Sequence, residues 1–337
     1  MKAVVFDRFG PPEVLRYMDV PDPVAGPRDV VIRVHAVSVN RTLDLAVREG
    51  KYSRPIQLPH ILGVDPVGIV EEVGSDVAER KPGDRVATSP SVRPATATEP
   101  PLMLGVNVWG GYAQFVRVPV DATCAVPDSL DFPTACVVAR HMPTAFHLLR
   151  DRALLKAGEW VLVMGAAGGL GSAGVQVAKL LGAKVIAGAG SDERAALAKR
   201  LGADFVINYH RTDLTAAVLD ATAGRGANVV FENVGDPGLF AQAINAMSRF
   251  GRLVTAGAHG GGVVPLDIRK LYLNQLSVIG ATGQLASDVE SSLNAAADGR
   301  IAATIDRVMP LRDAALAHEL LAARQELGKI ILKPDLQ

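Results

Sequence analysis

Cysteine is almost missing from this chain: Cys124 and Cys136 are the two thiols among 337 residues. Two thiols cannot build a disulfide framework or, alone, a cysteine-rich zinc site. Net charge is missing too, since 35 Lys and Arg face 35 Asp and Glu. That removes the positive excess demanded by nucleic acid or an anionic membrane surface. Aromatic residues are scarce at 5%, which argues against a surface built to stack bases. One stretch, residues 160–178, runs 19 residues without a charge, nearly enough to cross a bilayer. It carries five glycines with Ser172 and Gln176, so it reads as a buried strand, a tight turn and a close-packed helix. Met1-Lys2-Ala3-Val4-Val5-Phe6-Asp7-Arg8 interrupts its apolar run with charges. It does not read as a signal peptide, and a cytoplasmic address is the expectation.

What the chain does have is apolar mass and glycine. Hydrophobic residues make up 49%, charged residues 21%, and there are 33 glycines. Such a chain buries a substantial core, and at roughly 150 residues per domain its length suggests two domains. The first 125 residues read as β-rich. The runs 30–37 and 67–73 are β-branched, with turn signals at Gly26-Pro27-Arg28-Asp29 and Lys81-Pro82-Gly83-Asp84. Residues 88–108, poor in charge and containing Pro90, Pro94, Pro100 and Pro101, read as a surface loop. After Pro127 strands and helices alternate. Strands are predicted at 160–164, 184–189, 205–208, 229–231 and 252–256, with helices at 170–181, 192–201, 213–223 and 239–247. That order predicts a doubly wound parallel sheet, and so an α/β fold.

The strand Val161-Leu162-Val163-Met164 runs into Gly165-Ala166-Ala167-Gly168-Gly169-Leu170-Gly171, which opens a helix. A dinucleotide site needs this arrangement: small residues admit the pyrophosphate to the backbone, and the helix start offers N–H groups and partial positive charge. In the usual register Ala166, Gly168 and Gly171 take the three small-residue positions. The second strand bears on which dinucleotide. An NAD reader carries Asp or Glu at its end to accept the ribose 2′-OH. Here the strand ends Ala189-Gly190, and Ser191-Asp192-Glu193-Arg194 follows. Ser191 can donate to a 2′-phosphate and Arg194 can neutralise it. Equally, Ser191 suits a helix N-cap with acids in the first turn. Both can hold together, and NADPH is preferred over NADH, with Asp192 as the residue that argues the other way.

These residues, with Leu58-Pro59-His60-Ile61-Leu62-Gly63-Val64-Asp65, Lys81-Pro82-Gly83-Asp84-Arg85-Val86, Gly110-Gly111-Tyr112-Ala113-Gln114, Gly202-Ala203-Asp204-Phe205-Val206-Ile207-Asn208-Tyr209 and Gly328-Lys329-Ile330-Ile331-Leu332, make a series of ordered matches. The chain resembles the medium-chain dehydrogenase/reductase superfamily, and within it the zinc-free quinone oxidoreductase branch. The resemblance implies a GroES-like catalytic domain over 1–126 and a Rossmann NADP-binding domain over 127–265. It implies a return to the catalytic domain over 266–337, with the last Rossmann strands near 276–282. It further implies a cofactor in the cleft between domains, and a homodimer joined along the Rossmann sheet edge near 276–280.

Zinc-dependent relatives carry a Cys near position 40, Gly-His-Glu at 63–65 and a four-cysteine lobe near 90–110. This chain has Asn40, Gly63-Val64-Asp65 and no cysteine in that lobe. Asn and Val cannot complete a tetrahedral site, and His60, His141 and His147 are the sole substitutes nearby, so no metal is expected.

By the same resemblance Asn40 and Tyr52 sit beside the nicotinamide as catalytic candidates. Tyr52 either donates to a developing oxyanion or packs over a loop. Asn40 orients Tyr52 or the carboxamide, or satisfies a turn. Thr144 goes to the diphosphate–nicotinamide stretch, and Ala167, Gly168, Gly169 and Leu170 to the pyrophosphate. Ser191, Arg194 and Tyr209 go to the adenosine 2′-phosphate, and Asn233 and Val234 to the adenine or ribose. Gly257 and Ala258 go to the carboxamide, and Lys329 closes the cleft. His259 lies on a glycine-rich loop that faces substrate. The implied activity is metal-free hydride transfer from NADPH to a small-molecule quinone or α,β-unsaturated carbonyl, with no nucleic-acid or membrane partner. The alternatives are an enoyl-thioester reductase or a non-enzymatic NADPH-binding protein.

Overall fold

A computed structural model describes residues 1–337 apart from Ala97, Gln325 and Gln337. The chain divides into two compact units, Met1–Arg140 with Val289–Gln337, and His141–Asp288.

In the first unit the long strand Asp29–Ser38 is the hub. Its β-branched residues Val30, Ile32 and Val34 are buried, as expected for side chains that pack well on a pleated surface. It pairs antiparallel with Val67–Val73, with Phe115–Pro119 and with the C-terminal strand Lys329–Lys333. Ile331 lies opposite Ser38, and Leu332 opposite Val37. This register brings Lys329 to the residues that follow Ser38. The seven-stranded sheet also contains Arg85–Thr88, Thr123–Ala125 and Ile305–Pro310. A separate three-stranded sheet places Lys2–Phe6 between Arg16–Asp19 and His60–Ile61. One apolar cluster joins these elements, including Phe6, Ile32, Leu62, Tyr112 and Leu332.

Residues 88–108 are not simply a surface loop. Ser91–Arg93 pairs antiparallel with Leu102–Met103, and Leu104 and Val106 are fully buried. The prolines break regular structure at the start, but the apolar run from Leu102 to Val106 returns the chain to the core.

The second unit is a six-stranded parallel sheet. Its spatial order is Phe205–Asn208, Lys184–Ala189, Trp160–Met164, Ala227–Glu232, Met247–Thr255, Ser277–Gly280. The first strand in sequence lies third in space, so the strand order reverses beside it, and ligands of such sheets bind outside the carboxyl ends at that point. The helices Gly169–Leu180, Asp192–Arg200, Leu214–Ala221 and Pro237–Asn245 connect successive strands. Three start on a side-chain cap: Ser191, Asp213 and Asp236 accept from backbone N–H groups of the first turn. Strand 160–164 and strand 184–189 agree residue for residue with the sequence reading.

The helix Phe132–Phe146 was not legible, because Pro143 lies inside it and a π-helical stretch, His147–Arg152, follows. Proline removes a helical hydrogen bond, so pattern reading stops at it.

Candidate functional site

In the second unit the strand Trp160–Met164 delivers the chain to a tight turn at the sheet's carboxyl end. Gly165 adopts φ +60°, and Ala166 N–H bonds Gly188 O at 3.0 Å. Gly168 is the N-cap of the helix Gly169–Leu180, and no side chain caps it. The N–H groups of that first turn therefore remain available to an anionic ligand. Gly171 is a steric necessity: a Cβ there would stand 2.1 Å from Gly165 O. At Gly168 an added Cβ meets only Gly165 O, at 3.3 Å. The turn thus fits a pyrophosphate chemically, as backbone donors with little side chain in the way. His141 packs against the turn, its Nε2 2.7 Å from where a Gly169 Cβ would lie.

Asn233, Val234, Gly257 and Ala258 border the same turn. Asn233 Nδ2 donates to Met164 O at 2.7 Å, while an added Cβ on Gly165 would touch Val234 Cγ2 at 3.2 Å. Gly257 lies so close to Asn233 O that a Cβ would stand 2.4 Å away, and Gly235 abuts Ala258. Sequence reading missed Glu232, which organises this corner. Its Oε1 accepts from Val234 N–H at 2.8 Å and from Gly235 N–H at 2.9 Å. Burial raises its carboxyl above the ordinary value. Thr144 Oγ1 reaches Gln284 Oε1 at 3.4 Å. Leu170 is half-buried in the first turn of the helix, and His259 is exposed.

At the ends of the next two strands, Ser191 is the expected N-cap, its Oγ accepting from Arg194 N–H at 3.2 Å. Gly190 lies under Tyr209 and His210; an added Cβ would stand 3.1 Å from Tyr209 Oη and 3.3 Å from His210 Nε2. Asp192 is engaged on both oxygens. Asn208 Nδ2 donates to Oδ1 at 2.7 Å, and Arg211 Nη1 donates to Oδ2. Arg211 had no signal in the sequence, because its partner lies nineteen positions away on another element.

The first unit holds a second polar group. Lys329 Nζ donates to Asn40 Oδ1 at 2.8 Å and to Val39 O at 2.9 Å. Asn40 Nδ2 faces Ser38 O and Ser38 Oγ at 3.3 Å and Asp65 Oδ2 at 3.2 Å. Asp65 also accepts from Ser38 N–H at 2.9 Å. Both Asn40 and Lys329 are buried, and burial lowers the lysine's pKa from its ordinary value. The Asn40 amide is therefore taken up by Ser38, Asp65 and Lys329. Tyr52 is half-buried, and its hydroxyl faces Met103 Sδ at 3.9 Å. The two catalytic candidates share no hydrogen bond among the described residues.

Behind Asn40 runs a chain of buried groups. Asp44 Oδ2 accepts from Asn40 N–H at 2.8 Å and from Tyr112 OH at 3.1 Å. Tyr112 OH lies 3.3 Å from His318 Nε2, whose Nδ1 lies 3.1 Å from Arg48 Nη1. Desolvation pushes Asp44 up to about 7 and His318 down to about 3.

A zinc ion does not fit these residues. Where a metal-binding relative needs thiolate and imidazole, this chain has Asn40, whose oxygen is held by an ammonium, and Val64. No group of three or more His, Cys, Asp or Glu side chains is arranged to hold a metal among the described residues. Cys136 is buried, with Sγ on Asp65 O at 3.3 Å. His60 is buried with Nε2 unpartnered among the described residues, and His147 faces Asp151. No described helix is long and apolar enough to cross a membrane.

Comparison with known proteins identifies the family. Residues 26–128 match the alcohol dehydrogenase GroES-like domain, and residues 169–298 match the zinc-binding dehydrogenase family. A quinone oxidoreductase of Pseudomonas aeruginosa is 34% identical over 99% of this chain and 99% of its own length. The human quinone oxidoreductase is 30% identical over 98% of this chain and 97% of its own. A crystal structure of an NAD-dependent alcohol dehydrogenase superposes with a TM-score of 0.92 at 34% identity, covering 99% of each chain. The first unit carries the GroES-like domain, the second is a Rossmann-like parallel-sheet domain, and the chain belongs to the quinone oxidoreductase-like branch of the medium-chain dehydrogenase/reductase superfamily.

Proposed function

We propose that this oxidoreductase uses NADPH to reduce a quinone or an α,β-unsaturated carbonyl without a metal ion. The observation that carries the reading is the end of strand Lys184–Ala189. There Ser191 and Arg194 sit at the start of a helix, while both oxygens of Asp192, the nearby acid, are engaged by neighbours. An acid held in this way is poorly placed to accept a ribose 2′-OH, whereas hydroxyl and guanidinium groups suit a 2′-phosphate.

When bound, the nicotinamide supplies a hydride to an electron-poor carbon. Reduction of a quinone takes up that hydride and one proton, giving hydroquinone and NADP⁺. The protein's part is position and charge. The helix start at Gly168, which no side chain caps, would hold phosphate oxygens through its N–H groups. Tyr52, whose hydroxyl faces the Met103 thioether, donates to the oxyanion that develops on the substrate. Lys329 and Ser38 hold Asn40, and with it the start of the helix Arg41–Arg48. The Lys329 hydrogen bond that occupies Asn40 Oδ1 supports the metal-free reading, since it takes up the oxygen a metal would need there.

We also propose a homodimer through the outer strand Ser277–Gly280. It lies at the sheet edge, beside the exposed side chains of Ile268, Tyr272, Leu273 and Val278.

The deciding experiment mixes purified protein with NADPH or NADH and a panel of quinones, enones and enoyl thioesters, and follows cofactor absorbance. We expect turnover with NADPH on a quinone or enone, in protein containing no stoichiometric zinc by elemental analysis. Tight NADPH binding with no turnover on the whole panel would make the chain a binding protein. Turnover confined to enoyl thioesters would move it to that class.

A further inference from the structure

We infer that Arg211 is a second cation of the adenosine 2′-phosphate site, held on Asp192 until the phosphate arrives. This rests on the NADPH reading above. The turn that carries Arg211 is fixed at the carboxyl end of strand Phe205–Asn208. Arg211 N–H and Thr212 N–H both bond Asn208 O at 3.0 Å, and Tyr209 N–H bonds Ala189 O at 3.1 Å. Asn208 is also the register partner of Ala189, the last residue of the neighbouring strand. The guanidinium thus reaches Asp192, the residue that follows Ser191, while Tyr209 and His210 of the same turn cover Gly190.

The pairing between Arg211 and Asp192 is suited to exchange. Both side chains are largely exposed, 73% and 61%, and an exposed ion pair contributes little net stability. A phosphate dianion is the stronger partner for a guanidinium, because it offers paired acceptor oxygens and twice the charge. Asp192 keeps its bond from Asn208 Nδ2 when Arg211 leaves, so the acid need not turn toward the ligand. Without Arg211, the Asp192 carboxylate would instead repel a 2′-phosphate bound at Ser191. The same cation therefore screens the acid and supplies donors. NADH, lacking that phosphate, draws nothing from it.

The test is the affinity of the intact protein for NADPH and for NADH, by fluorescence titration, in wild type and three variants. R211A should weaken NADPH about tenfold, the loss of one charge-assisted contact, and leave NADH within about twofold. R211K should recover part of the loss. D192N, which removes the competing carboxylate, should tighten NADPH about threefold. R211A that weakens both cofactors equally, or neither, in a protein that still prefers NADPH, overturns this role and leaves the NADPH reading standing. So does D192N that loses NADPH affinity. A wild type that binds both cofactors equally overturns the NADPH reading, and this inference with it.

Discussion

Lys329 and Asn40 lie 289 positions apart in sequence, yet the lysine's Nζ is 2.8 Å from the asparagine's Oδ1, and both are buried. The contact exists because the C-terminal strand joins the sheet beside Asp29–Ser38. Replacing Lys329 by Met would leave Asn40 Oδ1 and Val39 O without their donor and remove a positive charge facing Asp65. Losing such a buried donor costs about 2 kcal/mol. We expect K329M to lower the urea midpoint accordingly; an unchanged midpoint would show that the ammonium does not hold the unit together.

The buried Asp44 and His318 give stability a pH dependence of two signs. Asp44 titrates at about 7 in the fold, above its ordinary value, so its contribution is present at low pH and is lost as pH rises through 7. His318 titrates at about 3, below its ordinary value, so its contribution is present above about pH 6.5 and is lost as pH falls. The two oppose each other in mild acid, and from about pH 6.5 to 8 only Asp44 acts. Urea midpoints across that upper window should decline in wild type and stay flat in D44N. A slope that persists in D44N would assign it to another group.

Two glycines of the turn should respond differently to alanine. At Gly171 the added methyl would overlap Gly165 O, so G171A should lose both nucleotide binding and thermal stability. At Gly168 the methyl meets one atom at 3.3 Å, and G168A should lose much less melting temperature than G171A while binding NADPH more weakly. Equal affinity in G168A and wild type, by titration, would remove the pyrophosphate from this turn.

Tyr52 offers a test of the chemistry that is separate from folding. Among the described residues its hydroxyl makes no hydrogen bond stronger than the 3.9 Å approach to Met103 Sδ, so Y52F should melt as wild type does. If the hydroxyl serves the oxyanion, kcat should fall roughly 100-fold with little change in cofactor affinity. Unchanged turnover would reduce Tyr52 to packing.

For the proposed dimer, Val278 on the edge strand is 41% exposed. V278D places a charge in the middle of that edge, and we expect sedimentation to report monomers for the variant and dimers for wild type. A wild type that sediments as a monomer would end the proposal.

The sequence by itself determined the alternation of strand and helix after Pro127, the glycine turn and the serine cap at Ser191, because each is a local matter of period, backbone space and capping. The sequence also shows that Asn40 and Val64 stand where zinc-dependent relatives carry Cys and His. Pro143 hid a helix that its neighbours nonetheless form, and the apolar residues after Pro101 were masked by the prolines before them. Tertiary structure alone decided which polar groups meet. Arg211 lies on Asp192, Glu232 under the Asn233-Val234-Gly235 turn, and Lys329 on Asn40. None of these can be read from spacing. A buried amide or carboxylate takes whatever donor the sheet register carries past it, and register is set by how whole strands pair and pack.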